Sequence, residues 1–329
     1  MLESIGSPLL WGITIAVLLG LLAVDFAVTR RPHDVPMREA VGWTVFYLAL
    51  PVAFGLVLWP MYGSGVSVEF FTGWVVEKSL SVDNLFVLML LLAAFAVPPA
   101  LAQRVLLYGI VGALVLRAVF IALGAAVISA GSWAFLLFGG ILLVTAVKVM
   151  RDAVSGHQQA VDIDGMRSVR LLRRMMPVTR EYHGAKLTVR EAGRRALTPM
   201  ALVVVAVFMT DIVFAVDSVP AVYGVTDDPY LVFATNAFAL LGLRALYFVL
   251  RNALSRLRHL NHGLAVILGF IGVKLVLHWA HTVWSWVPDV PTPLSLAVIV
   301  GVLVTVTLTS LRANRREAGV PQRDKIGVG

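Results

Sequence analysis

The sequence predicts an all-α polytopic membrane protein of nine transmembrane helices, with an inverted repeat of three helices (spans 3–5 and 6–8), the N-terminus outside and the C-terminus inside. Three observations predict it. Of 329 residues, 59% are hydrophobic and only 14% charged, against roughly 25% charged in a soluble domain. Apolar runs near the ~20 residues that cross a bilayer recur along the whole chain. The bases fall in alternate connections between those runs, which is the pattern of a membrane protein whose basic loops stay inside.

Hydropathy places the spans at 8–28, 40–59, 68–96, 103–129, 132–150, 199–224, 230–250, 263–283 and 293–311. The first has no base ahead of it and no A-x-A-like site after it, so it reads as a retained span and not as a cleaved signal. Of the 27 Lys and Arg, three lie in 29–39, one is Arg104, ten lie in 151–198, three in 251–262 and five in the tail from Arg312. The intervening connections hold none. This asymmetry orients the chain and accounts for the net charge of +8 without a nucleic acid partner. The absence of cysteine excludes disulfides, thiolate metal sites and cysteine nucleophiles.

The organisation that follows is two N-terminal spans in 1–67, a first three-helix repeat in 68–150, a basic cytoplasmic connection in 151–198, a second repeat in 199–284, a ninth span in 285–311 and a basic tail in 312–329. The connection is expected to lie on the anionic inner leaflet, with a protein partner as the sharper alternative. Within it, 186–190 and 195–197 read as a short hairpin.

The repeat is read from matching residues. Span 3 contains Glu77-Lys78-Ser79-Leu80-Ser81-Val82-Asp83-Asn84, and span 6 contains Asp211-Ile212-Val213-Phe214-Ala215-Val216-Asp217-Ser218. Each is an acid, five residues, then an aspartate and a small polar residue. The next spans match Leu116-Arg117-Ala118 with Leu243-Arg244-Ala245, and the third members end in Val147-Lys148 and Val273-Lys274. Spans 3 and 6 run in opposite directions, so the repeats are inverted and bring corresponding residues together near the midplane.

A carboxylate at the centre of a span costs roughly 2.5 to 3.5 kcal/mol, so four of them need a compensating role. They pair with internal bases, or they bind cations. Residues seven apart in a helix differ by about 20° around its axis, so Glu77 and Asn84 share a face, with Ser81 one turn on from Glu77, and Asp211 shares one with Ser218. Asp83 and Asp217 point about 120° away unless the helices bend. Pro220 supplies a possible bend and frees the Val216 carbonyl as another oxygen; whether span 3 breaks at Asp83 stays open. An oxygen set of this kind suits manganese(II), magnesium or calcium. Met89 and Met209 read as packing, and Asp25 as interfacial. Arg117, Arg244 and the deeper Lys274 are expected to hold the acids in place, with Asn236 in support; the role of Lys78 stays open. Carboxylates left without a cation take protons, so cation binding would release them.

These motifs resemble the TerC/Alx family of bacterial integral membrane proteins. The resemblance is carried by Phe71-Thr72-Gly73-Trp74, the stretch from Glu77 to Phe86, the stretch from Thr210 to Ala221, Asn236 to Arg244, and Phe270 to Lys274. It implies manganese(II) efflux across the bacterial cytoplasmic membrane, with Glu77, Asp83, Asn84, Asp211, Asp217 and Ser218 as the metal-site positions. The expectation is therefore a divalent cation exporter working by alternating access, with manganese(II) as transported ion and protons as counter-ion. The alternative is a membrane scaffold or assembly factor, serving tellurite resistance or protein metalation, in which the acids are structural. No enzyme is expected: an intramembrane aspartyl protease would carry a Gly-x-Gly-Asp segment, which is missing.

Overall fold

The computed structural model describes residues 4–28, 37–155, 167–179, 181–191, 194–250, 260–284 and 286–318. Along the described residues run α1 (Pro8–Val28), α2 (Met37–Tyr62), α3 (Ser64–Ala94), α4 (Pro99–Ser129), α5 (Trp133–Ser155), α6 (Arg167–Met175), β1 (Thr188–Glu191), β2 (Arg194–Leu197), α7 (Pro199–Tyr223), α8 (Pro229–Leu240), α9 (Leu243–Leu250), α10 (Leu260–Val283) and α11 (Thr292–Ala318). Eight stretches are long and apolar enough to cross a membrane: α1, α2, α4, α5, α7, α8 with α9, α10 and α11. At 31 residues α3 is long enough, but every 18-residue stretch within it holds at least three of Glu69, Glu77, Lys78 and Asp83. Apolar side chains such as Ile13, Val45, Val115 and Val144 are exposed around the bundle, as a lipid-facing surface requires. The chain is a helical, multi-pass integral membrane protein.

Proline fixes where several helices start. α4, α7 and α8 begin at Pro99, Pro199 and Pro229, a position where the missing N–H would have had no helical partner. Asp228 caps α8 by accepting from Tyr230 N at 2.8 Å. The same carboxylate accepts from Ser4 Oγ at 2.6 Å and Ile5 N at 2.8 Å, which ties the segment before α1 to the start of α8.

The centre of the bundle is α3 and α4 against α7 and α8, with α5 lying along α10. Phe138, Leu142, Tyr223, Ile267, Leu268 and Ile271 form the core between the last pair and α7. α5 and α10 come close because of small residues: a Cβ built on Gly139 would lie 2.9 Å from the Gly272 carbonyl oxygen, and one on Gly272 would lie 3.1 Å from that of Gly139. Lipid gives helices no hydrophobic reason to associate, so such backbone proximity is a main source of packing energy. α1 and α2 flank α3 and α8 through Tyr47, Phe54, Phe70, Tyr230 and Phe238.

One expectation changes here, and two open points are settled. The seventh span is not one helix: Leu241 is extended and Gly242 takes φ +77°. A Cβ on Gly242 would lie 2.5 Å from Tyr47 Cβ, so both conformation and contact select glycine. By contrast α3 is continuous through Asp83, and α7 is continuous through Pro220. The basic connection also meets protein. α6 buries Val169 and packs Leu172 against the core that contains Met200 and Val203 of α7, leaving Arg170 and Arg174 exposed. The hairpin forms, with β1 and β2 antiparallel and Val189 opposite Ala196; its strands reach closer to the turn than the sequence suggested. Residues 156–166 of this connection lie outside the described residues.

Gly139→Ala is expected to destabilise the bundle by about 1 to 3 kcal/mol through overpacking, whereas Gly140→Ala, which meets nothing within 4 Å, leaves stability unchanged or slightly raised. Thermal unfolding in detergent, followed by tryptophan fluorescence, compares the two; equal midpoints would contradict the close approach.

Candidate functional site

Four helices bring polar side chains to the middle of the bundle. α3 supplies Glu77, Ser81 and Asn84; α4 supplies Arg117; α7 supplies Thr210, Asp211, Asp217 and Ser218; α8 supplies Asn236. The side chain of Asp83 lies outside the described positions, although its backbone is part of α3.

Arg117 is the hub. It is 1% exposed and forms an ion pair with Glu77, which is fully buried. The same Nη1 donates to Asn236 Oδ1 at 2.6 Å. Asn236 in turn donates from Nδ2 to the Val232 carbonyl at 2.8 Å, so both ends of the amide are fixed with the oxygen towards the arginine. The guanidinium charge also acts on Asp211 and Asp217 of α7. One buried cation therefore faces carboxylates from both acidic helices.

The acids are not used up by it. Glu77 Oε2, Ser81 Oγ, Asp211 Oδ2 and Ser218 Oγ are buried without a hydrogen-bond partner. Hydroxyls elsewhere in these helices bond back one turn: Thr72 to Val68, Ser79 to Val75 and Thr210 to Ala206. Ser81 and Ser218 do not. Buried polar atoms are ordinarily paired, and inside a bilayer an unpaired one costs more, so this group of oxygens marks a place built for something else. Carboxylate and hydroxyl oxygens, with the amide of Asn84 at hand, make a donor set for a hard cation. Among the described residues no three His, Asp or Glu side chains converge into a ready-made cage; the set is mixed and leaves room for water.

Beside it lies a cavity of about 50 Å³ lined by Asn84, Arg117, Thr210 and Asp211. Its apolar walls include Leu88 and Leu91 of α3 and Leu106 and Gly109 of α4, so it extends from the polar cluster towards the α3–α4 turn. That is the end of the bundle at which α6 and Tyr182 of the 151–198 connection lie.

Other expected residues go elsewhere. Arg244 pairs with the buried Asp25 of α1, to which Tyr47 also donates at 3.4 Å; it does not join Glu77. Lys274 lines a separate cavity with Glu69, Asp227 and Asp289. Val216 turns its side chain to the surface, and Pro220 withholds the helical donor from its carbonyl while α7 stays intact. Sequence reasoning left Lys78 without a role and gave Thr210 only as the start of a family motif. Lys78 donates to the Ala239 carbonyl at 3.2 Å, near the end of α8, where the helix break leaves carbonyls without helical partners. The readable signal for it was Gly242 in an otherwise apolar run.

The family model described as "Integral membrane protein TerC family" matches residues 62–318. The chain belongs to the TerC family. Relatives extend over nearly the full length of the chain. An uncharacterised membrane protein of Myxococcus xanthus is 37% identical over 315 residues, covering 95% of each chain. An uncharacterised membrane protein of Mycobacterium tuberculosis is 40% identical over 324 residues, 95% of this chain and 81% of the relative. A protein of Escherichia coli named "Putative membrane-bound redox modulator Alx" is 37% identical over 326 residues, 96% of this chain and 98% of the relative. No solved structure matches. The TerC match spans every helix from α3 to α11 and so includes the whole polar cluster.

Removing one partner of a buried ion pair costs about 3 to 5 kcal/mol because the other charge is stranded. Arg117→Met is expected to destabilise the protein by that order, and Glu77→Gln added to Arg117→Met to restore part of it. Unfolding of the two single variants and the double variant in detergent measures the coupling; additive losses would show that the pair is not coupled.

Proposed function

We propose that this chain exports a divalent metal cation, with manganese(II) as its preferred cargo, across the bacterial cytoplasmic membrane. The observation that carries the reading is the set of unpartnered oxygens on Glu77, Ser81, Asp211 and Ser218 of two acidic helices, whose acids Glu77 and Asp211 both face one buried arginine. Asp83, Asn84 and Asp217 complete the candidate ligand set, with Asn236 and Arg117 as its supports. The absence of cysteine and of histidine from this cluster favours a hard ion over zinc or copper.

In this reading the chain crosses nine times, with α3 as the crossing whose charges belong to the transport site, the N-terminus outside and the C-terminus inside. Helices α3 to α5 and α7 to α10 are the inverted repeats, α8 and α9 together forming the second member. The packing supports that pairing: α3 on α8 is mirrored by α4 on α7, and α5 on α10 joins the third members. The cavity beside Asp211 approaches the basic, cytoplasmic end, which fits a state open inwards. Alternating access then consists of closing that side and opening the other around a fixed site. Cation binding displaces protons from the carboxylates, and their return from outside drives export.

The name of the Escherichia coli relative raises redox modulation. Thiol exchange has no residue to work with here, because the sequence contains no cysteine; cation transport is the reading that the buried oxygens favour.

Purified protein in sealed liposomes is expected to move manganese(II), faster with an opposing proton gradient. Asp83→Asn and Asp217→Asn should each lower the initial rate about tenfold or more, as expected when a site loses a charged ligand. Absence of wild-type transport beside a working control exporter would contradict the proposal and turn attention to a scaffold role.

A further inference from the structure

A second cavity, of about 180 Å³, lies at the end of the bundle away from α6 and the hairpin. It sits between residues 224–227, the end of α10 and the segment before α11. Glu69 of α3, Thr226, Asp227, Lys274 and His278 of α10, and Asp289 line it. Glu69 Oε2 accepts from Thr226 Oγ1 at 2.7 Å, and His278 Nδ1 lies 3.2 Å from Asp289 Oδ2. None of these residues lines the cavity beside Asp211.

Lys274 makes the cavity informative. It is 7% exposed and has no hydrogen bond or ion pair to any described residue. Its charge is balanced only at longer range by Asp289, Glu69 and Asp227. An ammonium cannot remain buried without either a direct partner or water. The cavity is polar and roomy enough to supply water. With three carboxylates against one lysine, it also carries excess negative charge, so it attracts cations. Yet no three of its acidic or histidine side chains converge as metal ligands, which rules out a tight chelate among the described residues.

We infer that this cavity is a hydrated vestibule for the divalent cargo, a weak site where the ion, still carrying part of its water shell, is held between the central oxygens and the solvent. The inference rests on the reading of the chain as a cation exporter and adds its release side. The carboxylates draw the ion in. Divalent ions of manganese size keep several waters when ligands are few, so the spaced carboxylates bind through that shell. The fixed charge of Lys274 keeps the attraction modest, which passage requires: a site on a pathway must be favourable enough to enter and weak enough to leave.

Free manganese(II) counted by electron paramagnetic resonance, during titration of the detergent-solubilised full chain, separates the two sites. The wild type is expected to show a tight class, and a weak class in the range of about 10⁻⁴ to 10⁻³ M that open, low-charge oxygen sites reach. Asp289→Asn, at an exposed position in a connection, should weaken the weak class roughly fivefold, and Lys274→Met should tighten it by a similar factor. Neither should move the tight class. A missing weak class, no response, or shifts of the same sign would overturn the vestibule. A missing tight class with opposite shifts in the weak one would overturn the central site and uphold the vestibule.

Discussion

The ion pair between Arg117 and Glu77 is the constraint around which the middle of this protein is arranged. A guanidinium in the apolar centre of a bundle has to be neutralised and hydrogen-bonded, or the helix that carries it does not insert. One carboxylate oxygen of Glu77 and the amide oxygen of Asn236 meet its Nη1 from two other helices, while Nε and Nη2 have no hydrogen-bond partner and the charge acts on Asp211 and Asp217 of a third helix. The pair thereby sets the positions of α3, α4, α7 and α8 against one another. It also reduces the net negative charge of a cluster that would otherwise be too acidic to stay folded without a bound ion. It leaves Glu77 Oε2 and Asp211 Oδ2 without a hydrogen-bond partner.

Two further cations, the buried Arg244 and the half-buried Lys78, show the same economy. Arg244 is neutralised by Asp25 and joins α1 to α9. Lys78 sits at the break between α8 and α9, where its ammonium meets a carbonyl at the negative end of a half-helix. A broken helix beside a polar site is tolerated in a membrane only where its exposed backbone finds partners inside the protein. Lys78 and the close contact of Gly242 with Tyr47 provide that setting.

The sequence carried much of this plainly. Long apolar runs are a strong signal because the bilayer penalises exceptions to them. The shared faces of Glu77, Ser81 and Asn84 and of Asp211 and Ser218 follow from helical spacing, and the structure keeps both helices unbroken through them. What misled was the symmetry itself. Arg117 and Arg244 occupy matching Leu-Arg-Ala contexts, yet Arg244 finds its acid on α1, which lies outside the repeat and has no counterpart to Glu77 in the alignment of motifs. Lys274 likewise stands where Lys148 does in the first repeat, but the connections around it bring Asp227 and Asp289 near. The break after Leu241 was invisible to hydropathy because one glycine barely changes the mean of an apolar window. The docking of α6 depended on whether its apolar stripe met lipid or protein, a choice that a single amphipathic pattern leaves undecided.

The central claim is that the unpartnered oxygens of Glu77, Ser81, Asp211 and Ser218 belong to a cation. Calorimetric titration of manganese(II) into the purified protein, in two buffers of different ionisation enthalpy, tests this most directly. The account predicts saturable binding whose heat differs between buffers because protons leave the carboxylates. It further predicts that Asp211→Asn abolishes both the binding and the proton release, while Glu191→Gln in the exposed hairpin changes neither. Binding that survives Asp211→Asn unaltered, or no saturable binding to the folded wild type, would contradict it.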